Sequence, residues 1–318
     1  SEDRSQKFVR KMIKAFEPAP SKYFKTPKYT GVFLSLLSMF VLASMFVVWE
    51  QIPKENEGPL LRVKVISTLK QCMERISPSF EKEMGVSVHF TYSADDKIVE
   101  EILSPDEESS SFDLYIFQEP DNLTNSSLRD QCVERIPIAF IPPEHPANST
   151  AGSILVSANL SNLTQNPTLA LQFARYLAAP SRGQFGFSKS GFGGVNGDLW
   201  SEIPTLKIFT NQEHTSKVTS QLKAFEVREG VTLETSTLPI EKMDSALKII
   251  LQSEAQEFLP DLVFLKQKAS WPPSFPYVLV NANASEHSPP LIYQAKGNAF
   301  PNLSKRLIRF LTQNKKAA

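Results

Sequence analysis

Apolar residues along this chain form one long uncharged run, several short runs and several segments with helical spacing. The long run covers residues 29–49, and 21 helical residues at about 1.5 Å each span the roughly 30 Å hydrocarbon core of a bilayer. Short runs such as 61–66 and 112–117 are typical of strands covered on both faces. The segment before Gly85 repeats apolar residues on one helix face. The pattern therefore predicts a transmembrane helix followed by α/β structure.

The flanks of the 29–49 run indicate its orientation. Tyr29 and Trp49 mark its ends, where amphipathic rings prefer the headgroup level, and lysines precede the run whereas glutamates follow it. We therefore expect a membrane anchor with a cytoplasmic N-terminus. A cleaved signal peptide and a buried core helix are the alternatives. The run is longer than a usual signal-peptide core of about 7–15 residues, lacks an A-x-A site and has no polar stripe, which favours the anchor.

The part of the chain after the anchor contains an internal repeat. The stretch that begins at Leu61 returns at Leu206, 145 positions later. The residues matched at this offset include Phe80, Glu81, Gly85 and Val86, which correspond to Phe225, Glu226, Gly230 and Val231. Three residues are then inserted, and FDLYIF around Asp113 matches PDLVFL around Asp261. The repeat predicts two copies of one folding unit.

Each copy predicts the same order of elements. The expected strands are 61–66, 86–92, 112–117, 137–141 and 154–157 in the first copy, and 206–209, 231–235, 260–265, 277–280 and 291–294 in the second. An amphipathic helix ends at Gly85 or Gly230, a second covers 96–103 or 240–252, and a closing helix covers 167–178 or 301–313. The closing helices share an aromatic-arginine pattern, with Arg175 and Arg309 at matching positions. Strands that alternate with helices indicate parallel βαβ units.

Motifs in the first copy resemble a known family. The segments FEKEMGV and DLYIF, followed by PTLALQFARYLAAPSRGQFGFSKSGF, are similar to the first lobe of class II periplasmic solute-binding proteins, the molybdate-binding type in particular. The resemblance covers residues 60–192 well and 204–313 more weakly. The resemblance implies lobes of periplasmic-binding-protein type. Together with the apolar run and the repeat, it predicts an α/β fold with one N-terminal transmembrane helix followed by two tandem three-layer α/β lobes of that type.

The resemblance also implies where an oxyanion would bind. The family grips its anion with hydroxyl groups and with backbone N–H groups at helix N-termini, and Ser67, Thr68 and Ser93 occupy such positions here. Asp95 and Asp96 follow Ser93 and would repel an anion, although carboxylates suit a helix N-terminus. About 12 residues separate 137–141 from Ile154, where the family inserts a second lobe of about 100 residues. We therefore expect a vestigial ligand site, with anion capture between the copies as the alternative.

Together these features give an expected organisation. It comprises a basic cytoplasmic arm (1–28), the transmembrane helix (29–49), a linker (50–59), a first lobe (60–192), a second linker (193–203) and a second lobe (204–318). The formal net charge of zero divides into +5 on residues 1–28 and −5 on the remainder. A neutral chain with an acidic outer part offers no field for nucleic acid.

The residues that could carry chemistry are few. Two cysteines and four dispersed histidines assemble no metal motif. The stretch GFGGVNG at 191–197 lacks phosphate-loop spacing and predicts a linker, and no G-x-S-x-G elbow occurs. We therefore expect no enzyme activity and no cofactor. Cys72 and Cys132 either form a disulfide or remain free thiols, and the sequence does not decide between these.

The function expected from these observations is non-enzymatic. Small residues on the membrane helix permit close packing against partner helices, namely Ser35, Ser38, Ala43 and Ser44. We expect an accessory or scaffold subunit of a larger membrane complex, with partner subunits and the lipid bilayer as contacts and no small-molecule ligand. The expected location is a bacterial cytoplasmic membrane, with the lobes in the periplasm. The alternative is a membrane-tethered oxyanion-binding component of an ABC importer.

Overall fold

The computed structural model describes residues 38–42, 44, 58–104, 112–118, 131–143, 153–253, 256–265, 268–272, 274–281 and 291–313. Of the expected anchor at 29–49, only residues 38–42 and 44 are described, and they are helical; Tyr29 and Trp49 lie outside the described residues. Among the residues that are described, no helix combines the length and apolar character needed to cross a membrane. Residues 57–318 form one compact unit.

The first lobe contains a five-stranded mixed sheet in the order β2-β1-β3-β5-β4. Its strands are β1 (Leu60–Ile66), β2 (Ser87–Ser93), β3 (Leu114–Gln118), β4 (Cys132–Ile141) and β5 (Ile154–Ser161). Its helices are α1 (Lys70–Met84), α2 (Asp95–Leu103), α3 (Pro167–Ala178) and α4 (Gly183–Lys189). Strands β2 and β3 are parallel to β1, whereas β5 is antiparallel to both β3 and β4. The parallel βαβ units expected from the alternation of elements are therefore present.

The second lobe repeats this arrangement strand for strand, in the order β7-β6-β8-β10-β9. Its strands are β6 (Thr205–Thr210), β7 (Thr232–Thr237), β8 (Leu262–Leu265), β9 (Tyr277–Asn281) and β10 (Leu291–Ala295). Its helices are α5 (Gln212–Glu229), α6 (Ile240–Gln252) and α7 (Pro301–Gln313). The parallel and antiparallel pairings also correspond to those of the first sheet. The described residues from 58 onwards thus form two α/β lobes.

The cores lie where the apolar pattern predicts them. In the second lobe, alternate residues of β8 point to opposite faces of the sheet. Leu262 and Phe264 pack with the cluster that includes Phe225, whereas Val263 and Leu265 pack with a second cluster around Met243. Both faces are therefore covered, which explains why the strand is apolar throughout. In the first lobe, a single large cluster includes Phe80, Phe173 and Tyr176, whose rings lie 4.9 and 5.1 Å from that of Phe80.

Two carboxylates shared by the repeats anchor the sheet of each lobe. Asp113 and Asp261 each accept a backbone hydrogen bond from the neighbouring strand, from the N–H of Arg62 at 3.0 Å and of Lys207 at 2.8 Å. Their backbone N–H groups in turn donate to the carbonyls of those same two residues. A reciprocal pair of this kind fixes the register at the start of the third strand. The repeated aspartate of DLYIF and DLVFL therefore has a structural role.

A second repeated carboxylate works in the same way. Glu81 and Glu226, near the ends of α1 and α5, accept hydrogen bonds from the N–H of Val88 at 2.8 Å and of Leu233 at 2.7 Å. Each helix is thereby fastened to the strand that follows it. This geometry explains why the glutamate of FEKEMGV recurs in the second copy without any chemistry at the position.

Two parts of the first lobe differ from the expected elements. Strand β4 begins at Cys132, five residues before the expected start at Pro137, and its pairing with β5 shifts register near Pro137. An edge strand tolerates proline because the missing N–H faces away from the sheet. Residues 183–189 form α4, which was not among the expected elements. Gly186 lies where a Cβ would come within 2.5 Å of Ile76, so close packing against α1 selects glycine.

Candidate functional site

The positions that the resemblance assigns to an oxyanion lie at the carboxyl ends of β1 and β2. Ser67 and Thr68 begin a short 3-10 helix after β1 and are exposed, and Ser93 ends β2. The structure brings Ser67 and Ser93 together, because the hydroxyl of Ser67 donates to the backbone carbonyl of Ser93 at 3.0 Å. The hydroxyl that would grip an anion is therefore engaged with the chain itself.

A side chain of the protein itself also occupies the N-terminus of α2. Asp95 accepts a hydrogen bond from the backbone N–H of Gln118 at 2.8 Å, which links the start of α2 to the end of β3. Burial raises the pKa of Asp95, the Gln118 N–H lowers it, and the neighbouring Asp96 raises it further. The two carboxylates place negative charge in the first turn of α2, where an anion would otherwise be favoured.

At the corresponding strand end of the second lobe, Thr210 is likewise engaged with the chain itself. Thr210, at the end of β6, is fully buried, and its hydroxyl donates to the carbonyl of Asn211 at 3.3 Å. Its own carbonyl accepts a hydrogen bond from the N–H of Leu238 at 2.9 Å. The polar groups at this strand end are thus used to hold the backbone.

The cysteines do not pair in the structure. Cys72 is buried on α1, and Cys132 is partly buried at the start of β4; both are free thiols. Burial raises the pKa of both thiols, to about 11 for Cys132. Such thiols are poor nucleophiles near neutral pH because the reactive thiolate is scarce. Within the described residues, no cluster of histidine, cysteine and carboxylate side chains could hold a metal ion.

The largest concentration of buried charge lies between the lobes. Glu229, at the end of α5, is completely buried and accepts hydrogen bonds from Arg306 at 3.1 Å and Arg228 at 3.0 Å. Arg175 of the first lobe reaches across to its backbone carbonyl at 2.6 Å and to its carboxylate at 3.5 Å. The carboxylate of Glu229 in the second lobe therefore pairs with arginines from both lobes.

A second carboxylate makes the reciprocal connection. Glu134 of β4, which is 5% exposed, accepts hydrogen bonds from Arg228 at 3.3 Å and Arg309 at 3.1 Å, both from the second lobe. The guanidinium of Arg228 also lies 4.7 Å from the ring centre of Phe310, a cation–π distance. We call Glu134, Arg175, Arg228, Glu229, Arg306 and Arg309 the interlobe network.

The two carboxylates of this network have opposite pKa shifts. Burial raises the pKa of Glu229, but Arg306, Arg175 and Arg228 outweigh it, so the pKa is lowered overall. For Glu134, burial dominates over the attraction of Arg306, and the pKa is raised. Burial also lowers the pKa of Arg175 to about 10, although Glu229 opposes that effect. Glu229 is therefore the carboxylate whose negative charge the fold requires.

Further contacts join the lobes beside the network. The hydroxyl of Thr168 donates to the carbonyl of Val227 at 2.7 Å. Asp198, in the segment that connects the lobes, accepts hydrogen bonds from the backbone N–H groups of Asn302 and Leu303, both at 2.8 Å. It thereby caps the first turn of α7, as a carboxylate at a helix N-terminus does.

The expected linker at 191–197 also packs against the first lobe. Gly193 forms a two-hydrogen-bond bridge with Phe140 of the edge strand β4, at 2.8 and 2.7 Å. Gly197 lies so close to Ala178 that a Cβ would be 1.9 Å from its carbonyl oxygen. The glycines of GFGGVNG therefore serve close backbone packing.

Sequence reasoning missed the interlobe network. One signal was available, namely the arginine repeated in the two closing helices, since Arg175 and Arg309 both belong to the network. The pattern did not reveal their partners because Glu134 and Glu229 occupy unrelated positions in the two copies. Only the packing of the lobes places these carboxylates beside the repeated arginines.

No family model and no curated protein matches the chain. Similar solved structures include a protein described as the substrate binding domain of a molybdenum ABC transporter from Clostridium difficile. It has 12% sequence identity and a TM-score of 0.34, and the match covers 44% of this chain and 100% of that chain. A tungstate ABC transporter protein from Geobacter sulfurreducens has 10% identity and a TM-score of 0.22, with 61% and 68% of the chains covered. A full-length OxyR variant from Pseudomonas aeruginosa has 11% identity and a TM-score of 0.20, with 98% and 90% covered. Similarities this weak carry no argument about function.

Proposed function

We propose that this protein is a non-enzymatic, membrane-tethered accessory subunit whose paired lobes make protein–protein contacts in a larger membrane complex. The observation that carries the proposal is the closure of the strand-end positions by the chain itself. Ser67 bonds to Ser93, and Asp95 occupies the start of α2 and bonds to Gln118. Because the ligand positions of the lobe are filled by its own groups, its outer surface is the part that remains for contacts with other proteins.

The joining of the lobes supports the same proposal. Helix α5 runs antiparallel to the strands of its βαβ unit, so its last residue, Glu229, lies at the amino edge of the sheet. Glu134 lies near the start of β4, which runs parallel to β1, and so also at an amino edge. The lobes are thus fastened through edges remote from the strand ends where the family binds its ligand.

The size of the native assembly tests the proposal. We expect the full chain, expressed at its natural level and purified from membranes in mild detergent, to migrate at a mass well above its own 35.6 kDa. Partner subunits should be present in stoichiometric amounts. Migration as a lone monomer would contradict the accessory role. Alkaline carbonate extraction should leave the chain in the membrane pellet, and its release would contradict the tether.

A second measurement separates this role from the oxyanion-importer alternative. We expect isothermal titration of the full chain with molybdate, tungstate and sulfate to show no saturable binding that depends on Ser67. Micromolar binding that the Ser67→Ala substitution weakens would instead establish a working strand-end site, and with it the importer component.

A further inference from the structure

A cavity of about 610 Å³ lies beside the interlobe network. Its walls come from β4, β5 and α3 of the first lobe, from the connecting segment and from α7 of the second lobe. We call it the interlobe cavity. Its volume falls within the range of about 300–1,000 Å³ that is usual for small-molecule sites. It lies apart from Ser67, Thr68 and Ser93, none of which is among its lining residues.

The charges that line the interlobe cavity are strongly unbalanced. The cationic lining residues are Arg135, Arg175, Lys305, Arg306 and Arg309. The described lining contains a single carboxylate, Asp198, and both of its oxygens accept hydrogen bonds from the first turn of α7. The four arginines of the interlobe network outnumber the two carboxylates that pair with them, because Glu229 and Glu134 are each shared among several arginines.

Two of these arginines are buried and incompletely bonded. Arg175 and Arg306 are 7% and 5% exposed. The Nε and Nη2 of Arg175 and the Nε of Arg306 are buried and have no hydrogen-bond partner among the described residues. A buried donor without a partner destabilises the fold, and a charged one does so more strongly. The side chains of Arg175 and Arg306 are among the residues that line the cavity, and a guanidinium matches the planar oxygens of a carboxylate or phosphate.

The rest of the wall is largely apolar. The side chains of Phe140, Leu155, Leu199, Trp200 and Phe300 contribute to it. Trp200 is held in place by ring contact with Tyr176 at 4.9 Å and by its N–H, which donates to Glu83 at 2.7 Å. A compact inorganic anion would leave this apolar surface without a partner, so the walls favour a ligand with an apolar body.

We infer that the interlobe cavity binds a small soluble organic anion, with its carboxylate or phosphate group against Arg175, Arg306 and Arg135 and its apolar body against Phe140 and Trp200. This site goes beyond the proposed accessory role, which needs no ligand. A ligand in this position touches both lobes and the segment between them, so it stabilises their packing by mass action.

Isothermal titration of the full chain tests the site with four water-soluble probes: phenyl phosphate, benzoate, inorganic phosphate and benzyl alcohol. We expect phenyl phosphate or benzoate to bind with 1:1 stoichiometry and to raise the unfolding temperature. Inorganic phosphate should bind at least about tenfold more weakly, because it lacks the apolar body, and benzyl alcohol should not bind, because it lacks the charge. Equal binding of phosphate and phenyl phosphate, equal binding of the alcohol, or no binding by any probe would overturn the inference.

Variants locate the binding. Because Arg175→Met removes a partner of Glu229 and could unfold the chain, the exposed pair Arg135→Gln/Lys305→Gln provides a second test. Each variant that folds should weaken phenyl phosphate binding by about tenfold or more, as expected for loss of a charge-assisted hydrogen bond. Lys296→Gln, an exposed lysine outside the lining, and Ser67→Ala should leave the affinity unchanged. Unchanged affinity in the cavity variants would refute the site, whereas the native size of the complex would still decide the accessory role separately.

Discussion

Glu229 and Glu134 are both buried among arginines, yet their surroundings favour different protonation states. Glu229 is 0% exposed, and its arginine partners Arg175 and Arg306 are themselves buried. Glu134 shares Arg228 and Arg309, whose side chains are 18% and 50% exposed, so water can replace the lost carboxylate there. The cost of removing each negative charge therefore depends on how well its cations can be hydrated.

We predict that Glu229→Gln destabilises the protein by about 3–5 kcal/mol, because it leaves buried cations without a counter-charge. Glu134→Gln should cost about 1 kcal/mol, since its partners reach solvent and its own pKa is already raised by burial. Urea unfolding followed by tryptophan fluorescence would measure both. The exposed Glu234→Gln serves as control and should change stability by less than about 0.5 kcal/mol. Equal costs at Glu229 and Glu134 would contradict the assignment.

The pH dependence of stability provides a separate prediction. Because the pKa of Glu229 is lowered from its ordinary value of 4.5, its charge contributes stability above that pH, and the contribution is lost as pH falls through the folded-state pKa. Glu134 has the opposite sign, since its raised pKa means that protonation favours the folded state. We therefore expect the difference in unfolding free energy between wild type and Glu229→Gln to shrink as pH falls from the ordinary glutamate value of 4.5 through the lower folded-state pKa of Glu229. A difference independent of pH would argue that the substitution acts through shape alone.

The helix-ending glycines allow a matched comparison of the two lobes. Gly85 and Gly230 both have positive φ, at 64° and 62°. A Cβ on Gly85 would meet nothing within 4 Å, whereas on Gly230 it would lie 2.5 Å from the Cγ2 of Thr168. The second position is therefore constrained by the opposite lobe as well as by its own backbone.

We predict that Gly85→Ala costs about 1–2 kcal/mol from backbone conformation and that Gly230→Ala costs more. Thr168→Ser removes the methyl group while keeping the hydroxyl that donates to Val227. In the Thr168→Ser background, the cost of Gly230→Ala should fall towards that of Gly85→Ala, because the remaining close neighbour is the side-chain amide of Gln172 at 3.3 Å. A double-mutant cycle measures this coupling; additivity would show that the contact between the lobes is absent.

At the scale of elements, hydrophobic period and end signals located the helices and strands apart from helix α4 and the start of β4. The closing helices begin at Pro167 and Pro301 as expected, because proline at the first turn lacks the N–H that would be unpaired there. Helix α4 was not predicted, since Gly183 and Gly186 are selected by close packing against Leu177 and Ile76 and not by helix propensity. The helix that was not predicted is thus the one whose glycines are required by packing against neighbouring elements.

Gln184 of α4 holds three elements together. Its side-chain amide donates to the carbonyls of Ile138 at 2.6 Å and Leu177 at 2.8 Å, and its oxygen accepts from the N–H of Val195 at 2.8 Å. We predict that Gln184→Leu, which leaves these buried backbone groups without partners, destabilises the protein by about 2–4 kcal/mol. The control is Gln165→Leu, the same exchange on the connection before α3, which should cost less than about 1 kcal/mol. Equal effects on the urea midpoint would contradict the anchoring role.

At the scale of the whole molecule, the interlobe network makes residues 57–318 one body. We predict that the two lobes unfold together. Trp200 reports on the first lobe through Tyr176, and Trp271 on the second through Tyr293, at 4.9 and 4.7 Å between ring centres. Single-tryptophan variants in a Trp49→Phe background should give coincident urea midpoints.

Truncation of a core residue in one lobe extends this test. Phe225→Ala should cost about 3–5 kcal/mol through the cavity it leaves in the second lobe. If unfolding is coupled, the midpoint reported by Trp200 should fall together with that reported by Trp271. A shift confined to Trp271 would show that the lobes unfold independently, in spite of the charges buried between them.

The sequence by itself determined the order of the elements, the two α/β lobes and the equivalence of their repeated glycines and aspartates, because period, capping and repeat spacing are local properties. It also placed Ser67 and Ser93 at neighbouring strand ends. Tertiary structure alone decided that the Ser67 hydroxyl bonds to the chain, that Cys72 and Cys132 stay unpaired, and that Arg175 meets Glu229. The first two outcomes depend on packing within the first lobe and the third on packing between the lobes, and all three involve residues far apart in the chain and with no common period.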